Sequence, residues 1–118
     1  MNREFYCPSC EGQLRIKDSI VLSAQTSDGT RGLLFLSPEI GDYTVVKHPS
    51  FKYQEGERTK FFCPICHANL IASNVNPNLA RLMMEDENGK AEVYFSVIAG
   101  EKSTYKIANE KFEAYVAD

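Results

Sequence analysis

The chain has 118 residues, 43% of them hydrophobic and 25% charged, with a formal net charge of −3. That size and balance suit one small globular domain and exclude a disordered or strongly basic chain. The longest apolar run, Leu33 to Leu36, is far too short to cross a bilayer, and Met1-Asn2-Arg3-Glu4 forms no apolar leader. The expectation is a cytoplasmic protein with no membrane partner.

The first element in chain order is a cysteine knuckle, Cys7-Pro8-Ser9-Cys10, preceded by Phe5-Tyr6 and followed by Leu14. Ile20 to Thr26 is rich in β-formers and leads into Ser27-Asp28-Gly29-Thr30. Asp-Gly between apolar runs predicts a hairpin whose type I′ turn needs positive φ at both Asp28 and Gly29. Gly32 to Leu36 is the return strand, and its unbroken apolar character predicts burial on both faces. Further strands are predicted over Tyr43 to Lys47 and Arg58 to Phe62, with turns at His48-Pro49-Ser50 and Gln54-Glu55-Gly56-Glu57.

The second knuckle is Cys63-Pro64-Ile65-Cys66, preceded by Phe61-Phe62 and followed by Leu70. Residues 78–85 follow Asn76-Pro77 and contain good helix formers, so a short helix competes there with a strand. The strand is preferred, because Leu79 to Asp86 leads straight into the turn Glu87-Asn88-Gly89-Lys90. Glu92 to Val97 alternates as a return strand, and Thr104 to Ile107 pairs with Lys111 to Val116. The predicted fold is all-β.

The two halves also match each other. Phe5, Cys7, Pro8, Cys10 and Leu14 recur 56 positions later as Phe61, Cys63, Pro64, Cys66 and Leu70. At an offset of 60, Asp28-Gly29 falls on Asn88-Gly89 and Phe35 on Phe95; at 59, Ser37 and Gly41 fall on Ser96 and Gly100; at 61, Val46 and Phe51 fall on Ile107 and Phe112, a drift that small insertions and deletions produce. The reading is a single domain, 1–118, built of two pseudo-repeats, about 1–56 and 57–118, related by a pseudo-twofold axis. Two units make a pair rather than a solenoid.

The knuckles contain all four cysteines of the chain. In a reducing cytosol paired C-x-x-C motifs bind metal more often than they form disulfides. Cys7, Cys10, Cys63 and Cys66 supply the four thiolates of a tetrahedral Zn²⁺, one per chain, with no position left open. If the axis passes near the metal, the ion clamps the halves together and folding depends on it. A rubredoxin-type iron uses the same thiolates and is the less favoured metal, since nothing nearby suggests an electron-transfer partner. A thiol oxidoreductase places its C-x-x-C at a strand-to-helix junction, which an all-β chain lacks. Cys63-Pro64-Ile65-Cys66-His67 fits the haem-attachment pattern, but haem attachment needs export and a chain built around a porphyrin. His67 is expected at the surface or just outside the metal, because Glu11 occupies its twin position.

These knuckles resemble those of zinc-ribbon proteins, in which C-P-x-C is followed by Gly and a basic residue. Here Glu11 and His67 follow the second cysteines, and residues 11–62 make a long separation between the pairs. That spacing is similar to the β-tent group, which includes Yippee-like proteins, the ligand-binding domain of cereblon and B-type methionine sulfoxide reductases. The resemblance implies zinc at the apex of two β-sheets. Specific activities do not transfer: the reductases need a further nucleophilic cysteine, the cereblon pocket is a tryptophan cage, and this chain has neither.

The resulting expectation is a non-enzymatic, zinc-stabilised adaptor that recognises a protein or small ligand, with Tyr43, His48, Phe51 and Tyr53 as a candidate binding face. Exposed strand edges leave a homodimer open. The alternative is a nucleic-acid-associated zinc ribbon using Arg15, Lys17, Lys47, Lys52, Arg58 and Lys60. The net charge disfavours it, because the thirteen Lys and Arg are scattered among sixteen acids. A thiol redox or rubredoxin-like protein is the third reading.

Overall fold

The computed structural model describes residues 3–39, 45–49, 51–52, 54, 56–72, 75–98, 103–108 and 111–116. Among them there is no helix, and no helix long and apolar enough to cross a membrane. The strands in chain order are β1 (Glu4–Tyr6), β2 (Arg15–Ile16), β3 (Ser19–Gln25), β4 (Arg31–Leu36), β5 (Val45–Lys47), β6 (Lys60–Phe62), β7 (Leu79–Asp86), β8 (Gly89–Ser96), β9 (Ser103–Ala108) and β10 (Lys111–Val116).

They form two antiparallel sheets. One has the order β1-β7-β8-β9-β10; the other has β2-β3-β4-β5, with β6 also paired to β3. Each knuckle's leading strand therefore docks on the hairpin of the other half. In β1, Phe5 stands opposite Met84 of β7, and in β6, Phe61 stands opposite Ala24 of β3. The chains β1-β7-β8-β9 and β6-β3-β4-β5 thus follow the same path. One core joins both sheets, with Leu22, Ala24 and Leu34 from one packed with Leu82, Met84 and Val93 from the other. The Phe61 and Phe95 rings meet edge to face at 5.1 Å across it.

At 78–85 the preferred strand forms, and two other local expectations need correction. The competing helix at 78–85 is absent: β7 buries Ala80, Leu82 and Met84 at alternate positions, and cross-strand pairing with β8 outweighs the helix propensity of its residues. β4 is buried on one face only. Leu34 is inside, whereas Leu33 and Phe35 are 52% and 40% exposed, so its apolar run does not mean two covered faces. The hairpin turns are not type I′ either. Gly29 has φ +93° and Gly89 φ +112°, but neither Asp28 nor Asn88 has positive φ. Gly29 N–H donates to Thr26 C=O and Thr26 N–H to Thr30 C=O, a turn on Ser27-Asp28 with a glycine bulge.

The proposed aromatic face is also altered. Phe51 is only 2% exposed and packs over Gly32, while His48 lies at the surface. Tyr43 and Tyr53 fall outside the described residues.

Candidate metal centre

Each knuckle reverses the chain through the same short bonds. Cys7 N–H donates to Gly12 C=O at 3.0 Å, and Glu11 N–H to Cys7 C=O at 2.9 Å. Their counterparts 56 positions later, Cys63 to Ala68 and His67 to Cys63, have the same lengths. Closing this loop drives Glu11 (φ 61°) and His67 (φ 66°) into the left-handed region, which costs a side-chain-bearing residue about 1 kcal/mol relative to glycine. Pro8 and Pro64, with fixed φ, stiffen the turns.

Inside each loop, backbone N–H groups converge on sulfur. Ser9 and Cys10 donate to Cys7 Sγ at 3.3 and 3.4 Å, and Ile65 and Cys66 to Cys63 Sγ at the same distances. At Cys7 such donors favour the thiolate, the form a metal requires.

The strand exchange brings the two loops together. Cys7 Sγ lies 3.8 Å from Cys66 Sγ, and Cys10 Sγ 3.8 Å from Cys63 Sγ. All four sulfurs fall within 4.8 Å of one another, and these four cysteines form a group able to hold a metal ion. A tetrahedral metal with bonds of about 2.3 Å needs S···S separations of about 3.8 Å. A disulfide would need about 2 Å, and all four cysteines are free thiols. Each knuckle contributes one buried sulfur (Cys7, Cys63) and one exposed sulfur (Cys10, Cys66). His67, exposed at the surface, is not in the group.

The thiols differ electrostatically. Burial pushes Cys7 up to about 12, against the lowering pull of the Cys10 and Ser9 N–H groups. At Cys10 the Gly12 N–H lowers the value, but burial and the facing thiols of Cys66 and Cys63 raise it overall. Cys66 is lowered, chiefly by the Ala68 N–H. Metal binding at Cys7 must therefore displace a tightly held proton.

The knuckles also fit each other in a way that the sequence gives no sign of. A Cβ on Gly12 would lie 2.6 Å from Ile65 Cδ1 and 3.2 Å from Cys10 Sγ. At the twin positions the sequence holds Ala68 and Ser9, so the bulky partner goes with the glycine and the small partner with the alanine. Gly12→Ala requires the exposed tip of Ile65 to turn aside and is expected to change stability by no more than about 0.5 kcal/mol, measured by chemical denaturation.

No protein-family model, curated protein or solved structure matches the chain. The grouping of the four cysteines fits the zinc-ribbon resemblance, and no comparison assigns a role.

Proposed function

We propose that the protein is a non-enzymatic binding module, held by one structural Zn²⁺ on Cys7, Cys10, Cys63 and Cys66, that recognises a protein partner in the cytoplasm. The observation carrying this reading is the sulfur geometry: two cross-knuckle separations of 3.8 Å within one four-cysteine group. Four thiolates fill a tetrahedron and leave no position for a substrate. Zinc, having no redox chemistry, suits a clamp between halves. The matching bonds 56 positions apart support an internal duplication with halves 1–56 and 57–118. Support for a protein partner comes from Leu33, Phe35 and Val46, exposed on the outer face of one sheet, where Phe35 pairs with Val46.

Elemental analysis with thiol titration and an absorption spectrum tests it. One zinc per chain, no colour and no reactive thiol until chelation are expected. Iron with visible absorption would move the assignment to a rubredoxin-like protein. A thiol that reacts with the metal in place would move it to redox chemistry. A salt-sensitive affinity for nucleic acid would replace the protein partner with a nucleic acid.

A further inference from the structure

The two halves differ in chemistry at one matched place. Beside β1, Gln13 Nε2 donates to Glu4 Oε2, and the Arg15 guanidinium reaches the carbonyls of Arg3 and Lys17. Gln13 and Glu4 satisfy each other, and main-chain carbonyls satisfy Arg15. At the twin positions beside β6 stand Lys60, Asn69 and Ile71. Lys60 and Asn69 make no hydrogen bond to each other, and isoleucine supplies no guanidinium. The Lys60 ammonium has no hydrogen-bond or ion-pair partner among the described residues, and Asn69 uses its carbonyl oxygen on Ile71 N–H.

At this place the structure has a cleft of about 380 Å³, with Phe61, Ile71 and Val97 among its apolar lining and Arg58, Lys60 and Asn69 among its polar lining. That volume is within the range of small-molecule sites. No Asp or Glu lines it, although the chain as a whole is acidic. Two carboxylates, Glu57 accepting from Ser27 N–H, Ser27 Oγ–H and Gln54 N–H, and Asp28 accepting from Thr26 Oγ–H and Thr30 N–H, flank the Ser27 side of the cleft but lie outside its lining. Arg58 is held by Pro77 C=O and Asn78 Oδ1, which fixes a full positive charge at the rim without neutralising it.

We propose that this cleft binds an organic anion, a carboxylate or phosphate group carried on a small apolar body. The cations and the Asn69 amide N–H₂ meet the anionic group, and Phe61, Ile71 and Val97 cover the apolar part. The inference rests on the binding-module reading and gives it a site. The anion comes either from a free small molecule or from an acidic side chain, beside an apolar one, on the protein partner.

Amide NMR titration of the zinc-loaded protein tests this, with benzoate, phenyl phosphate, neutral benzamide and the peptide acetyl-Glu-Phe-Glu-amide as probes. Both anions are expected to shift Lys60, Asn69 and Ile71 and to leave Arg3 and Gln13 unmoved. Lys60→Glu should weaken them about tenfold or more. Peptide binding at least about tenfold tighter than benzoate identifies a partner side chain as the source; preference for the isolated anions identifies a free ligand. Equal binding of benzamide and benzoate, equal shifts beside β1, or no shifts in folded zinc-loaded protein would overturn the proposal. Failure of the zinc reading would appear separately, as missing zinc in the same samples.

Discussion

Cys63→Ser is expected to give a protein that binds no stoichiometric zinc and lacks a dispersed proton spectrum at neutral pH. Cys63 is fully buried, and its sulfur receives the N–H groups of Ile65 and Cys66 beside Cys10 Sγ. A serine oxygen is a poor soft-metal ligand, and three sulfurs leave the ion loosely held. Structural zinc contributes roughly 10–16 kcal/mol of apparent binding energy, against a total stability of about 5–15 kcal/mol for a typical domain. Exhaustive chelation of the native chain should have the same effect. Cys66→Ser, at an exposed sulfur, should be milder, because solvent can satisfy the vacated position. Circular dichroism, proton NMR and zinc content report all three; a folded, metal-free Cys63→Ser protein would refute the clamp.

The pH response should reverse with metal. In the metal-free fold the Cys7 thiol is raised from 9.0 to about 12, so the folded state holds that proton more tightly than the unfolded chain does. Any metal-free folded population therefore loses stability as pH rises from about 9 toward about 12. In the loaded protein the proton is already displaced, and acid is what weakens the site by competing for sulfur.

Much of the fold is legible because its signals are local. C-P-x-C encodes a two-sulfur turn within four residues, and Asp28-Gly29 and Asn88-Gly89 mark the hairpins because a glycine must take positive φ there. The turn type is less legible, since either Asp-Gly residue can occupy more than one turn position. β7 tested propensity against pattern, and the alternation of Ala80, Leu82 and Met84 prevailed because burial opposite β8 outweighs intrinsic preference. The one-sided burial of β4 was hidden, since an exposed apolar face reads in sequence like a buried one. The exchange of β1 and β6 between hairpins was hidden as well. A strand's periodicity states which face it buries but not which distant edge it joins. The cleft was hidden because its lining joins residues as far apart in sequence as Gln25, Arg58, Asn69 and Val97.

The strand exchange leads to the second large effect. Fragments 1–56 and 57–118, prepared separately with zinc, are each expected to lack stable structure, and an equimolar mixture should regain the native spectrum. Alone, the first fragment has two thiolates, no β7 on which to seat Phe5, and an uncovered β3 edge where β6 belongs. The second lacks the same things in reverse, with Phe61 deprived of Ala24. Phe5 is 2% exposed and Phe61 8%, so each docking strand buries a phenylalanine in a sheet from the other fragment. Each such burial stabilises by about 2–3 kcal/mol, and completing four sulfurs around one ion adds the larger share. Phe5→Ala in the first fragment should therefore weaken reassociation by about 3–5 kcal/mol, roughly two to four orders of magnitude in Kd by calorimetry. Independent folding of fragment 57–118 with zinc would show that one knuckle and its own hairpin suffice, and that the exchanged strands are not what joins the halves.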